Sequence, residues 1–104
     1  MNVTALRTTP RGTIVRCRTA LHHLLWEMTV EQNVTDHTMQ FIRASFEALG
    51  KLPDPTIETS NVGNLMASLA HASIELLNGN TIYRQEAIKR IATILKHLED
   101  IIDN

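Results

Sequence analysis

Histidine and glutamate side chains occur at helical spacing in two places along the chain. His23 and Glu27 are four residues apart, as are His71 and Glu75, and residues four apart share one face of a helix. Two such pairs facing each other across a bundle could supply the donors of a transition-metal site. Sites of that type use more inward-facing carboxylates than this pattern offers. We therefore favour two surface pairs and predict no bound metal and no other cofactor.

Cys17 is the only cysteine and the one candidate nucleophile of the thiol type. A nucleophilic thiol needs a neighbouring base and a lowered pKa. Cys17 instead lies on an apolar stripe with Ile14, Leu21 and Met28, and a free cysteine in such a position commonly acts as a small buried hydrophobe. No catalytic motif or phosphate-binding loop is visible elsewhere, so we predict that the chain is not an enzyme.

Four arginines and no acidic residue lie within residues 1–26, although the whole chain has a net charge of −1. Such a segment could contact the phosphates of a nucleic acid. Against this interpretation, no aromatic side chain interleaves with the arginines to stack on bases. A nucleic-acid-binding regulatory protein is the alternative function, and its binding residues would be Arg7, Arg11, Arg16 and Arg18.

Small side chains are concentrated between residues 60 and 73, within a stretch (52–83) that contains no Lys or Arg. Small residues allow another backbone to approach closely, whether it belongs to a neighbouring helix or to a second protein. An uncharged surface of this kind is also typical of the core of a protein interface. Packing within the chain is the favoured interpretation. The best candidate for a partner-binding face consists of Gly63, Ala67, Ala70, His71 and Ile74.

Apolar residues recur every three or four positions in four segments, which predicts four amphipathic helices. The last segment shows the pattern most clearly, because Ile88, Ile91, Leu95, Leu98 and Ile102 form one continuous stripe. Such a stripe has to be covered by other helices. We predict helices over about residues 13–31, 36–49, 56–78 and 82–102.

Capping residues separate these segments. Thr35 or Asp36 can cap the second helix, and Asn80 or Thr81 can cap the last. Gly50 is expected to end the second helix in the left-handed conformation that glycine readily adopts. The connections are short, and short connections favour antiparallel neighbours. The predicted fold is therefore an all-α, antiparallel up-down-up-down four-helix bundle.

The charges at two helix ends are unfavourable for the helix dipoles. Carboxylates cluster at the end of the last helix and arginines near the start of the first, each where the dipole disfavours that sign. In an up-down-up-down bundle these two ends are neighbours, so the clusters can neutralise each other. We predict that one of Arg11, Arg16 and Arg18 approaches one of Glu99, Asp100 and Asp103 to within a Debye length of about 8–10 Å.

Length and composition complete the sequence-based expectations. A chain of 104 residues with 43% hydrophobic and 20% charged residues is expected to form a single helical domain, with residues 1–9 as a flexible extension. No apolar run reaches the length of a membrane span, and a lone cysteine favours a reducing compartment. We therefore expect a small, cytoplasmic, non-enzymatic interaction protein. It would act as an adaptor, inhibitor or regulatory subunit and bind another protein or itself as a homodimer, without a membrane.

Overall fold

The computed structural model describes residues 10–53 and 57–103, and these residues form helices without any strand. The all-α bundle predicted from the sequence is confirmed. The expected extension over residues 1–9 lies outside the described residues. The helices are α1 (Pro10–Trp26), which continues as a π-helical turn (Glu27–Glu31), α2 (Asp36–Gly50), α3 (Ile57–Ala70), α4 (Ile74–Gly79) and α5 (Thr81–Asp103).

The four long helices surround one hydrophobic core. α1 packs against α2 and α5, α3 packs against the same two helices, and the short α4 packs against α5. The stripe on α5 faces inward as its spacing predicts, with Ile91 and Leu98 fully buried. Each of the other long helices contributes apolar side chains to the same core, including Leu21, Leu24, Met39, Ile42, Val62 and Met66.

The start of α1 lies beside the end of α5. Arg11 Nη1 donates a hydrogen bond to the carbonyl oxygen of Ile102 at 3.2 Å, and Arg18 Nη1 lies 3.9 Å from Glu99 Oε1. The predicted approach of the arginine and carboxylate clusters is therefore confirmed. These contacts are those expected of antiparallel neighbours, while the complete up-down-up-down order stays a prediction.

The predicted third helix over residues 56–78 is wrong as a single element, because the chain leaves the helix between Ala70 and Ile74. Ser73 is extended, with φ −79° and ψ 128°, and its Oγ accepts a hydrogen bond from the Leu76 N–H at 3.5 Å. On the other side of the break, Arg43 Nε donates to the Ala70 carbonyl at 3.0 Å. Both new helix ends are thus capped, so the break leaves few backbone groups without a partner.

Two of the predicted caps are present. Thr35 Oγ1 accepts from the Thr38 N–H at 3.2 Å, and Asn80 Oδ1 accepts from the Tyr83 N–H at 2.9 Å. The prediction for Gly50 is wrong, since no described glycine has a positive φ.

The chain leaves α2 through tight turns, in which the N–H groups of Lys51 and Leu52 donate to carbonyls three residues earlier. Such turns satisfy the last carbonyls without a left-handed residue. The left-handed conformation occurs instead at Gln32, with φ 54° and ψ 31°, where the π-helical turn ends.

Candidate partner-binding surface

The five residues of the predicted partner-binding face do not share one exposed surface. Ala70 is completely buried, whereas Gly63, Ala67 and Ile74 are partly buried and His71 is exposed. The break after Ala70 also places them on different elements. The Ala70 side chain belongs to the core, and partner binding by the remaining residues stays a prediction.

Close packing between helices accounts for part of this small-residue segment. A β-carbon on Gly63 would lie 3.8 Å from Leu49 Cδ2, so α2 and α3 are in van der Waals contact there. At the end of the same seam, the His71 ring meets the Phe46 ring edge to face, with centroids 6.2 Å apart. These contacts support the interpretation that the small side chains allow α2 and α3 to approach each other.

Shallow cavities follow the other side of α3, along its seam with α5. One of about 110 Å³ is lined by Ser68, Ala72 and Tyr83, among others, and an open neighbour of about 210 Å³ is lined by Leu65 and Lys89. Arg90 borders both cavities, and its guanidinium donates to Ser68 Oγ. This contact ties α5 to α3 across the groove.

Arginine side chains cap the carboxyl ends of three helices. Each guanidinium donates to a carbonyl in the last turn, where the helix dipole favours positive charge. The donor–acceptor pairs are Arg11 with Ile102 on α5, Arg43 with Ala70 on α3, and Arg84 with Asn78 on α4.

The arginines proposed for nucleic-acid binding are partly engaged by these intramolecular contacts. Arg11 donates to Ile102, and Arg18 faces Glu99. Arg16 is exposed, and Arg7 lies outside the described residues. Of the set on α1, Arg11 and Arg16 are therefore exposed, whereas Arg18 is partly buried.

The histidine–glutamate pairs have different environments from those predicted. His71 lies in the break and Glu75 on α4, so they do not share a helical face. His23 Nε2 does approach Glu27 Oε2, at 3.4 Å, but Glu27 is buried, so the interpretation as a surface pair is wrong. In residues 10–53 and 57–103 no group of three or more His, Cys, Asp or Glu side chains is arranged to hold a metal ion.

The buried Glu27 carboxylate joins the end of α1 to the start of α2. It accepts hydrogen bonds from the backbone N–H of Thr35 at 2.9 Å and from the Thr35 hydroxyl at 3.1 Å. Burial alone would raise the pKa of Glu27, but the hydrogen bonds from Thr35 and Thr38, together with nearby His23, hold that pKa below its ordinary value. The carboxylate is therefore ionised at neutral pH and fixes the loop between α1 and α2.

Cys17 has the environment of a core residue. Its side chain is fully buried, and Sγ lies 3.5 Å from the carbonyl oxygen of Ser45 on α2, to which the thiol donates. Burial raises the pKa of the Cys17 thiol to about 11, although neighbouring Arg16 acts in the opposite direction. The prediction that Cys17 is a buried core residue is confirmed.

Large exposed apolar side chains are the feature that the sequence-based analysis missed. Among the described residues these are Trp26, Val30, Leu76 and Ile82, which are 50%, 57%, 45% and 74% exposed. We call these four residues the apolar end. The helical phase offers a signal for Trp26, which lies on the side of α1 opposite the stripe of Ile14 and Leu21.

The side-chain amide of Asn78 connects the segment that carries Val30 to the segment that carries Leu76 and Ile82. Asn78 Oδ1 accepts from the Val34 N–H at 2.6 Å, and Asn78 Nδ2 donates to the Val34 carbonyl at 3.0 Å. Val34 follows Val30 by four residues, while Asn78 lies between Leu76 and Ile82 in the chain. Val30, Leu76 and Ile82 are thus each within four residues of one tertiary contact, and Trp26 lies four residues before Val30.

The segments that carry the apolar end are acidic. Residues 22–40 and 73–84 contain four carboxylates and one Lys or Arg side chain, which gives them a formal charge of −3 against −1 for the whole chain. Arg84 is partly buried and donates a hydrogen bond to the Asn78 carbonyl. The exposed carboxylates of these segments are Glu31, Asp36 and Glu75.

Comparison with protein-family models, with curated proteins and with solved structures finds no match for this chain. None of the helices in the described part of the chain combines the length and apolar character needed to cross a lipid bilayer. Inferences about function therefore depend on the chain's own surface.

Proposed function

We propose that this chain is a small, non-enzymatic interaction protein of the cytoplasm that binds another protein through the apolar end. It would serve as an adaptor, inhibitor or regulatory subunit. The observation that carries the proposal is the exposure of Trp26, Val30, Leu76 and Ile82 at one end of an otherwise well-covered core.

Energetic considerations support a partner for these side chains. Full burial of a large apolar side chain contributes about 1.5–3 kcal/mol, so covering several of them supplies a substantial part of a binding free energy. Tryptophan is also among the residues most enriched at the energetic centres of interfaces. A half-exposed Trp26 beside Val30 therefore has the composition of a binding anchor.

The hydrogen bonds that hold this surface in place support the same proposal. The π-helical turn that carries Val30 is tied to α2 through Glu27 and Thr35, and the loop beyond it is tied to α4 through Val34 and Asn78. π-Helical turns are rare and frequently occur at functional sites. A rigid surface loses little conformational entropy on binding, which favours affinity.

Affinity capture from the native cell tests the proposal. Tagged wild-type chain should retain a partner that the Trp26→Ser/Val30→Ser double variant loses, with the helical circular dichroism spectrum unchanged. Lys96→Ala is the matched control, because Lys96 is exposed on α5 and distant in sequence from the apolar end. Equal capture by the double variant and the wild type would reject this surface.

The predicted face on α3 is tested in the same experiment. Ala67→Arg places a long charged side chain at the seam between α2 and α3 without entering the fully buried core. Loss of the partner with this variant, but not with the Trp26→Ser/Val30→Ser variant, would locate binding at Ala67 and His71 instead.

A further inference from the structure

We propose that the apolar end binds a cationic amphipathic segment of a partner protein, in which apolar side chains are flanked by Lys or Arg. This inference rests on the proposed function and specifies its partner. The juxtaposition that carries it is that the exposed apolar side chains lie in segments that the Val34–Asn78 contact joins and whose exposed charges are carboxylates.

Charge complementarity is the first argument. Glu31 directly follows Val30, and Glu75 directly precedes Leu76. Both carboxylates are exposed, and neither is used in a described hydrogen bond or ion pair of this chain. An apolar ligand that covers Val30 and Leu76 therefore brings its flanking groups close to two free negative charges, and positive groups are favoured there.

The same charges disfavour other occupants. A symmetric pair of chains joined by this end would bring Glu31, Asp36 and Glu75 of one copy close to the same carboxylates of the other, and like charges across an interface are repulsive. An anionic lipid surface would be repelled for the same reason. A basic segment of another protein is the ligand that satisfies both the apolar side chains and the carboxylates.

The shape of the surface suits a short amphipathic helix or extended segment. Trp26 and Val30 lie four residues apart in the helical segment that precedes Val34, and Leu76 and Ile82 lie before and after Asn78, the partner of Val34. A ligand that spans this contact meets apolar side chains on both sides of it. Recognition by successive apolar anchors is the usual mode for such segments.

Titration with a defined peptide tests the inference. The probe is an amphipathic helical peptide of leucine, alanine and lysine, about five turns long and without tryptophan, and its counterpart has every lysine replaced by glutamate. Trp26 is the only tryptophan of the chain, so its emission reports occupancy. We expect a blue shift with the lysine peptide and none with the glutamate peptide. The affinity should fall at least about tenfold between about 0.01 M and 0.15 M salt, since the Debye length shortens from about 30 Å to about 8 Å.

Matched charge variants locate the binding site. Glu31→Gln/Glu75→Gln should weaken the lysine peptide by about fivefold or more, whereas Asp100→Asn/Asp103→Asn, which removes the same charge at the exposed end of α5, should change binding by less than about twofold. Val30→Ser/Ile82→Ser should weaken it while keeping the Trp26 signal. Equal effects of the two charge variants, or equal binding of the two peptides, would overturn the inference.

The outcomes also separate this inference from the proposed function. Glutamate or uncharged peptides that bind at Trp26 would contradict a cationic partner and leave the apolar end as the binding surface. Concentration-dependent dimers in light scattering that Val30→Ser/Ile82→Ser abolishes would show that a second copy covers the surface, which also overturns the inference. If no peptide binds, and if the Trp26→Ser/Val30→Ser variant captures the same partner from the native cell as the wild type, both the inference and the proposed function are rejected.

Discussion

At the scale of single residues, the polar groups inside the bundle are the most informative. Glu27 is a buried charge with several hydrogen bonds, whereas Ser45 has a buried hydroxyl oxygen that finds no hydrogen-bond partner in the described residues. A buried charge with partners stabilises a specific conformation, while a buried polar atom without one costs free energy. We therefore expect that removing the polar group lowers the free energy of unfolding at Glu27 and leaves it unchanged or raises it at Ser45.

Glu27→Gln should lower the free energy of unfolding by about 1–2 kcal/mol at pH 7, because the amide loses the charge-assisted part of the hydrogen bonds from Thr35. The pKa of Glu27 is lowered in the folded state, so its contribution is fully present above the ordinary glutamate pKa. It is lost as the pH falls below about 4.3 towards the folded-state pKa. Urea unfolding at several pH values measures this difference. Glu31→Gln is the control, and a pH-independent difference would contradict the assignment.

Ser45→Ala should leave the stability unchanged or raise it by up to about 1 kcal/mol, because the hydroxyl has lost its hydration without gaining a protein partner. Thr38→Val is the contrasting variant, since the buried Thr38 hydroxyl lies 3.0 Å from the Thr35 hydroxyl oxygen and also hydrogen-bonds Glu27. That variant should destabilise by about 1 kcal/mol. Chemical unfolding of both variants checks the pair, and a destabilised Ser45→Ala protein would show that the hydroxyl is bonded in solution.

At the scale of elements, the break between α3 and α4 shows how local capping competes with a continuous apolar pattern. The hydrophobic spacing from Leu65 to Leu77 reads as one helix, yet the chain turns at residues 71–73. Ser73 and Arg43 satisfy the backbone groups that the break exposes. The separate α4 then presents Leu76 outward and brings Asn78 to Val34, so the break helps to form the apolar end.

Asn78→Ala should destabilise the bundle by about 1–3 kcal/mol, because it leaves the partly buried N–H and carbonyl of Val34 without their partner. Hydrogen exchange should show faster exchange of the Val34 amide and of the loop around it, with the core of α5 still protected. Asn64→Ala provides the comparison, since Asn64 is exposed on α3. Unchanged exchange at Val34 would mean that the amide contact does not hold the loop.

The buried face of α3 makes a prediction for Ala70. Ala70→Glu should unfold the protein or cost at least about 3 kcal/mol, because it places an unpaired charge in the core. Ala67→Arg, at the partly buried seam, should cost clearly less. Thermal unfolding by circular dichroism compares the two, and similar transition temperatures would contradict the different burial of these positions.

At the scale of the whole molecule, one core should behave as one cooperative unit. Cys17 is fully buried in this core, and burial raises the pKa of its thiol to about 11, so a thiol reagent should react only through unfolding of the bundle. The labelling rate should rise with urea in parallel with the loss of helical circular dichroism. Ala92→Cys in a Cys17→Ala background, with an exposed thiol, should react at once. Rapid labelling of native Cys17 would indicate local opening rather than a single cooperative domain.

Much of this architecture is predictable from the sequence. The apolar stripes predict the four long helices, although not the break between α3 and α4. The reason is that an apolar period of 3.6 residues is typical of a helix that packs one face against a core. The caps at Thr35 and Asn80 follow from residue type, and the approach of Arg18 to Glu99 follows from helix dipoles and the order of the helices. The burial of Cys17 follows from the same pattern, since its neighbours on the stripe have to be covered.

The sequence by itself thus determined the class of fold, the inward faces and the burial of Cys17, because these depend on local periodicity and on the side chains alone. Only the tertiary structure decided which apolar residues remain uncovered, why Glu27 is buried and what Asn78 binds. Each of these depends on contacts between residues distant in the chain, such as Val34 and Asn78, and no local pattern encodes such a contact. The candidate binding surface belongs to this second group, and Trp26 is the residue through which it can be tested.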